Sequence, residues 1–333
     1  MKTVKFFLIG LVITSFAFYS CSNENHSRVV NPPSVAAWNN LKASAFEKFV
    51  QRDTIGINYS SINFVSEKGV SLTISTYCLE FEDGTPIDQN GQIELEYVEI
   101  FDKGSMAITN KPTMGHNGDG NKRLLETGGE FYVNATQDGK KLVATCNYPF
   151  MHLVVPVALT TDAPDMSLWS GVIDSDGNLT WVEEDNNAGG TAGQGEGGVR
   201  GDGVNYYVNF GNFGWTNIDR FYSFDGEKTT ILVTPPAGYN HKNSAVYVSV
   251  DGEGMNQLAQ LDMFTEEGCF SEHYGYLPIG LDIHLIFVSE NNGQWVYGIK
   301  GVKIEKDKIY KFTDGDLITG TEAQLIAAIN AIQ

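Results

Sequence analysis

Asp174, Asp176 and Asn178 alternate through Asp-Ser-Asp-Gly-Asn, like the opening of an oxygen-rich calcium loop. Such a loop needs glycine at its sixth position and a carboxylate at its twelfth. Leu179 stands sixth here, and the flanking residues read as hairpin strands, so a turn is the preferred reading. The six histidines (His26, His116, His152, His241, His273 and His284) form no His-Glu-x-x-His or other paired metal spacing. Glu272-His273 and Asp282-Ile283-His284 fall in one region, and on a strand Asp282 and His284 share a face. A solvated or hydrogen-bonded histidine on each strand is the plainer account. The chain has no Gly-x-Ser-x-Gly elbow, and nothing beside Cys146 or Cys269 activates a thiol. The glycine-rich run 188–203 lacks the Gly-Lys-Ser/Thr of a phosphate cradle. Carboxylates are too numerous for a glycosidase pair to be singled out. No pattern specifies a reaction, so the expectation is a non-catalytic protein with no metal and no cofactor. The rival is a secreted hydrolase whose site is assembled only in the fold.

Aromatic side chains are the remaining candidates. Tyr206, Tyr207, Phe210, Phe213, Trp215, Phe221 and Tyr222 crowd one short segment. Exposed rings stack on sugars or grip protein partners, whereas rings alternating along strands more often fill a core. Trp215 and Tyr222 are taken as the candidate ligand-binding residues.

Cys21 offers chemistry of another kind. Lys2 and Lys5 precede an uncharged apolar run from Phe6 to Tyr19, then Ser20 and Cys21, after which the chain turns polar. A charged start, a short apolar run and a small residue at the cut form a secretory signal. The run falls short of the ~20 residues that cross a bilayer comfortably. Phe18-Tyr19-Ser20-Cys21 resembles the lipobox of bacterial lipoproteins, with an aromatic pair in place of the usual Leu-Ala or Val-Thr. The resemblance implies cleavage before Cys21 and acylation of its sulfur and new amino group.

The bulk numbers bound the rest. Loss of Lys2 and Lys5 with the leader takes the formal charge of the 333-residue chain from −19 to −21. Such a surface repels phosphate backbones, so nucleic acid is excluded as a partner. Hydrophobic content of 42% supplies packed cores, and 36 glycines with 12% aromatics favour strands joined by tight turns. With Cys21 acylated, Cys78, Cys146 and Cys269 remain, enough for at most one internal disulfide. Cys78 and Cys146 fall in strands of one unit and either pair or stay as buried thiols.

The elements follow from period and punctuation. Residues 1–20 are the leader and 21–35 a tether containing Pro32-Pro33. Ser34 caps a short helix whose apolar face is Trp38, Leu41, Ala45 and Phe49. Val70–Ser75 and Gln92–Ile100 alternate as strands, the latter with Ile93, Leu95 and Tyr97 on one face. Asp138-Gly139 and Asn291-Asn292-Gly293 mark hairpins. Leu153–Pro156 closes a first unit at 36–157. A middle β region with the glycine-rich loop spans 158–227. A second strand-rich unit spans 228–333 and ends in a helix capped by Thr321, with Gln324 at the capping-box position and Leu325, Ile329 and Ile332 inward.

Within the first unit, Glu99-Ile100-Phe101-Asp102-Lys103-Gly104-Ser105-Met106, Thr109-Asn110-Lys111-Pro112-Thr113 and Leu125-Glu126-Thr127-Gly128-Gly129-Glu130-Phe131-Tyr132 resemble a β-sandwich module of Gram-negative envelope lipoproteins. The module is also similar to carboxypeptidase-regulatory-like and zona-occludens/netrin-receptor-type sandwiches, and the likeness covers about Val65 to Val157. It implies a fold and a setting and brings no catalytic residue. The expected fold is mainly β: two antiparallel β-sandwich (immunoglobulin-like) domains with a short N-terminal and a C-terminal helix. The expected role is an outer-membrane lipoprotein held by its N-terminal lipid, facing periplasm or exterior, that serves as a scaffold or binds an envelope protein or a glycan.

Overall fold

The computed structural model describes residues 32–332, apart from 117, 119–120, 161, 175–176, 185–196 and 253–255. The leader, Cys21, most of the tether, Asp176 and most of the glycine-rich loop lie outside the described residues, as does the His273 side chain. The chain is mainly β, with three helices among the described residues. None of these is long and apolar enough to cross a membrane.

Period-two patterning builds four sheets. The largest has nine strands, with the path Gln51–Gly56, Gln92–Ile100, Lys122–Gln137, Gly214–Phe221, Ser167–Ile173, Leu179–Glu183 and Met114–His116. Along Gln92–Ile100, Ile93, Leu95 and Tyr97 point to one core and Val98 and Ile100 to another, as alternation requires. A five-stranded sheet (Gly198–Gly201, Asn205–Phe210, Met151–Pro156, Ser71–Ser75, Ser61–Val65) covers the first of those faces through Leu72, Ile74, Leu153, Tyr206 and Val208. The middle segment 158–227 therefore lends its strands to both sheets of the first unit. The turn reading at Asp174 also holds: Asn178 N–H donates to Asp174 Oδ1 at 2.9 Å, between two paired strands.

A second five-stranded sheet centres on Ser244–Val250, Asp282–Asn291 and Gln294–Lys303. Its Val246, Val248, Leu285 and Phe287 pack on Ile231, Val233 and Phe270 of a four-stranded sheet. Every residue of Ser244–Val250 is buried, because its other face, through Ala245, Tyr247, Ile286 and Val288, meets the helices. A strand covered on both sides carries no polar row.

Those helices form the middle layer: α1 (Val35–Glu47), α2 (Lys103–Thr109) and α3 (Glu322–Asn330). Ser34 Oγ accepts from Ala37 N–H at 3.1 Å, and Thr321 and Gln324 form the reciprocal capping box. The short α2 was not foreseen. Its marks are local, an Asp102 cap accepting from Ser105 N–H and a left-handed Asn110 at its end. Trp38 of α1 meets Trp295 edge-on at 5.9 Å. At the crossing of α2 and α3, a Cβ on Gly104 would stand 2.8 Å from the Ile326 carbonyl oxygen. Gly104 N–H donates to Asn330 Oδ1 and Asn330 Nδ2 donates to Asp102 Oδ1, both at 2.8 Å. The buried Lys103 ammonium donates to the Ile332 carbonyl at 2.8 Å and to Ser249 Oγ at 3.1 Å, a cation at a helix C-terminus where the dipole favours it.

The two sheet pairs are also stitched directly. Thr113 N–H donates to the Leu258 carbonyl and Thr127 N–H to the Asn256 carbonyl, with Leu258 N–H returning to Thr113 Oγ1 at 2.8 Å. Cys78 and Cys146 are joined, closing a loop of 68 positions with Cα atoms 5.1 Å apart. Cys269 is a buried free thiol.

Two outcomes follow. Gly104→Ala forces α3 outward against backbone, and its urea midpoint should fall by the equivalent of about 2 kcal/mol. Cys146→Ser opens the long loop, and the chain-entropy term for that length puts the loss at about 4 kcal/mol, read from the same unfolding curve.

Candidate functional site

The end of α1 leans over the outer face of the nine-stranded sheet and leaves a pocket of about 450 Å³. Its walls come from α1, the end of α2 and strands of the nine-stranded sheet. Helical spacing sets Lys42 and Phe46 one turn apart on α1, with Lys42 Nζ 4.9 Å from the Trp38 ring centre. The chain then turns into the strand Gln51–Gly56 and brings Arg52 to the rim, where Nη1 meets Glu47 at 2.6 Å and Nε meets Glu96 at 3.0 Å. The floor is Tyr132 and Trp215 from neighbouring strands, ring centres 5.4 Å apart, with Phe46 5.9 Å from Trp215. Trp215 can lie there because its cross-strand neighbour is Gly171; a Cβ at 171 would stand 2.5 Å from Trp215 Cβ.

The back wall is the end of α2. Asn110 adopts φ 54° and Lys111 N–H closes on the Met106 carbonyl at 2.9 Å. That left-handed exit aims Lys111 into the pocket, its ammonium 5.5 Å from the Trp215 ring centre and 5.8 Å from Phe46. Among the described residues the ammonium meets rings and no hydrogen-bond acceptor. Burial lowers its pKa to about 8, opposed by Glu130 and helped by Lys42.

Behind the floor lie two fully buried acids, Glu130 and Asp219. Among the described residues both Glu130 carboxyl oxygens lack partners, as does Asp219 Oδ1, while Asp219 Oδ2 accepts from Asn217 Nδ2 at 2.6 Å. Burial first, and then Asp219, hold the Glu130 carboxyl well above the ordinary range; burial does the same for Asp219.

Trp215 is thus a buried pocket wall, 7% exposed. Tyr222 goes elsewhere, into a narrow apolar cleft between the sheet pairs with Leu124, Phe224 and Tyr276. There the Arg123 guanidinium lies 4.7 Å from the Phe221 ring centre, and the buried Glu272 carboxyl, raised by burial to about 8, accepts from Gly275 and Tyr276 N–H. The two candidate residues are not brought together. Of the other aromatics, Tyr206 and Phe210 are core, while Tyr207 lies on the outer face of the first five-stranded sheet, stacked on His152 at 6.3 Å.

The histidines scatter. His284 Nδ1 pairs with Asp251 at 2.6 Å rather than with Asp282, which binds Lys303. His152 Nδ1 pairs with Asn209 at 2.7 Å. Among the described residues no three His, Cys, Asp or Glu side chains gather as metal ligands. The pocket's Lys42, Phe46, Lys111 and Tyr132 were missed in the sequence. The readable sign was Asn110-Lys111-Pro112, an αL-tolerant residue and a proline punctuating a helix end. No protein-family model matches this chain, and no curated protein matches it.

Lys111 is a cation held at a cost. Its shift from 10.5 to about 8 amounts to roughly 3 kcal/mol at 1.36 kcal/mol per unit, and the ring contacts offset about 1 kcal/mol. A lysine with a depressed folded pKa destabilises the fold below that pKa, and the penalty fades as pH rises towards the unfolded value. Lys111→Met should therefore be about 2 kcal/mol more stable than the parent at pH 7. The advantage should shrink between pH 8 and 10.5, as measured by thermal melts across that range.

Proposed function

We propose that the chain is a non-catalytic, lipid-anchored envelope lipoprotein of the outer membrane, built on two β-sandwich units of immunoglobulin-like type, whose body binds a ligand. The carrying observation is the aromatic pocket under α1, with Phe46, Tyr132 and Trp215 around an unpaired ammonium. A concave, mainly apolar site with a few convergent polar groups and a perturbed titratable residue is the form binding sites take. The Cys78–Cys146 pair supports an oxidising compartment outside the cytosol. The apolar run ending at Ser20-Cys21 supports lipid attachment there. More than one acyl chain gives a firm hold, each buried methylene contributing ~0.8 kcal/mol. From Cys21 to the Ser34 cap the chain can reach at most roughly 45 Å, so α1 and its pocket stay close to the bilayer surface.

Ring-lined walls of this kind suit a glycan, which makes a glycan-binding accessory lipoprotein the more specific form of the same role. The Tyr207–His152 stack on the outer sheet face, with the Arg200 guanidinium 5.1 Å from the Tyr207 ring centre, offers a second aromatic surface for the same class of ligand.

Labelled palmitate should enter the parent protein, and Cys21→Ser should lose both the label and the membrane fraction. Sedimentation of Cys21→Ser with membranes at its original length overturns the anchoring. On an oligosaccharide array Phe46→Ala should lose signal that the parent shows. An array on which Phe46→Ala and the parent behave alike removes the pocket from the role.

A further inference from the structure

The pocket's charge is out of keeping with the chain. Against a formal −19 overall, its lining carries Lys42, Arg52 and Lys111 against Glu47 and Glu96. Both acids are engaged by Arg52. Among the described residues Lys42 and Lys111 lie over rings and leave their N–H donors unspent. Burial holds the Glu130 carboxyl, near the floor, well above its ordinary range. The site is thus a small aromatic box with one net positive charge.

That balance selects among anions. A phosphate monoester brings nearly two charges and three acceptor oxygens, and calls for a guanidinium fork or a nest of backbone N–H groups. A single carboxylate matches one ammonium and one net charge. The walls add that the anion rides on a ring, whose apolar face meets Phe46 and Tyr132. Asn110 adds a polar group: its Oδ1 takes the Tyr247 hydroxyl at 2.5 Å, which leaves its amide NH₂ as a donor beside Lys111. A donor there suits a hydroxylated ring better than a bare hydrocarbon one.

We propose that this pocket binds a sugar ring bearing one carboxylate, the chemistry of a uronic acid, with the Lys111 ammonium as partner of the carboxylate and the Asn110 amide donating to a ring hydroxyl. The proposal rests on the binding role given above and names its ligand class. A volume of about 450 Å³ is ample for one such ring with room for a linkage to the next. The groups that bear on Lys111 are Lys42 and Glu47 from α1, Arg52 from the edge strand and Glu96 from its neighbour, Tyr132 and Glu130 from the next, and Asp219 beyond them. Lys111, lowered by burial to about 8, is placed to change charge just above neutrality.

The test titrates detergent-solubilised full-length protein with D-glucuronate, D-glucose and benzoate, followed by calorimetry and tryptophan fluorescence. Glucuronate should bind at least about tenfold more tightly than either other probe. Its affinity should fall about tenfold between pH 7 and pH 9, where Lys111 sheds its proton while the sugar carboxylate stays ionised. Lys111→Met, which is expected to gain stability and so to fold, should lose the same tenfold and the pH response with it. Any other ranking of the three probes, no glucuronate binding, or a Lys111→Met protein that binds like the parent overturns the proposal. Membrane attachment is read separately through Cys21. Array binding of neutral oligosaccharides without any of acidic ones would remove the uronate and keep the binding role.

Discussion

A layer of three short helices clamped between two sheets holds this molecule together, and its tightest point is the crossing of α2 and α3. Two helices of seven and nine residues have little stability of their own. They persist because Gly104 lets backbone approach backbone there. Asp102, Asn330 and the Lys103 ammonium then satisfy the polar groups that so close a contact would otherwise strand. The same crossing fixes where α2 ends, hence the left-handed Asn110 and the direction of Lys111. The pocket is in this sense a by-product of the clamp. The helices cover the outer face of the nine-stranded sheet at Val98 and Ile100, and the face stays open beside Tyr132 and along Glu94, Glu96, Asn134 and Thr136.

The electrostatics of the site oppose folding. Lys111 is charged at neutral pH and meets no acceptor among the described residues, and removal from water pushes the Glu130 and Asp219 carboxyls well above their ordinary range. A carboxyl whose folded pKa is raised destabilises the fold progressively as pH climbs above its unfolded value, so these acids also work against the native state at pH 7. Three such groups within one layer, where apolar side chains of similar size would pack at no such cost, break the agreement between local chemistry and global stability. Sites that do so are where function is to be sought. The Lys111 ammonium meets rings and no acceptor among the described residues, so that a ligand carboxylate meets an unspent partner.

Much of the scaffold was legible because its signals are local. The alternation of Gln92–Ile100 gave both of its faces, Asp138-Gly139 and Asn292-Gly293 take the positive φ their hairpins demand, and the caps at Ser34 and Thr321 hold as read. The strand Phe270–Pro278 was not legible, because a register shift opposite Thr229–Ile231 and the positive φ of Gly275 break its period of two. The role of 158–227 escaped for a different reason: which sheet a strand joins is a long-range fact, and Gly214–Phe221 pairs with Lys122–Gln137 across some eighty residues. Trp215 was singled out as an aromatic, yet its value lies in Lys111 and Phe46, which no spacing links to it. Tyr222 had the same sequence credentials and lines a different cleft.

Charge at long range and charge at short range act here in opposite directions. An acidic body repels an anion at distances where its field is unscreened, and at physiological salt that reach is only about 8 Å. Inside the pocket Glu47 and Glu96 are paired with Arg52, and the low dielectric of the ring-lined wall strengthens the attraction of Lys111 for a carboxylate. A polyanion strung along the surface would meet the repulsion at every unit, whereas one acidic ring at a chain end meets the attraction once. The arrangement therefore favours a terminal acidic sugar over an internal stretch of an acidic polymer. A pocket roofed by α1, and wide enough for one ring with its linkage, imposes the same choice by shape.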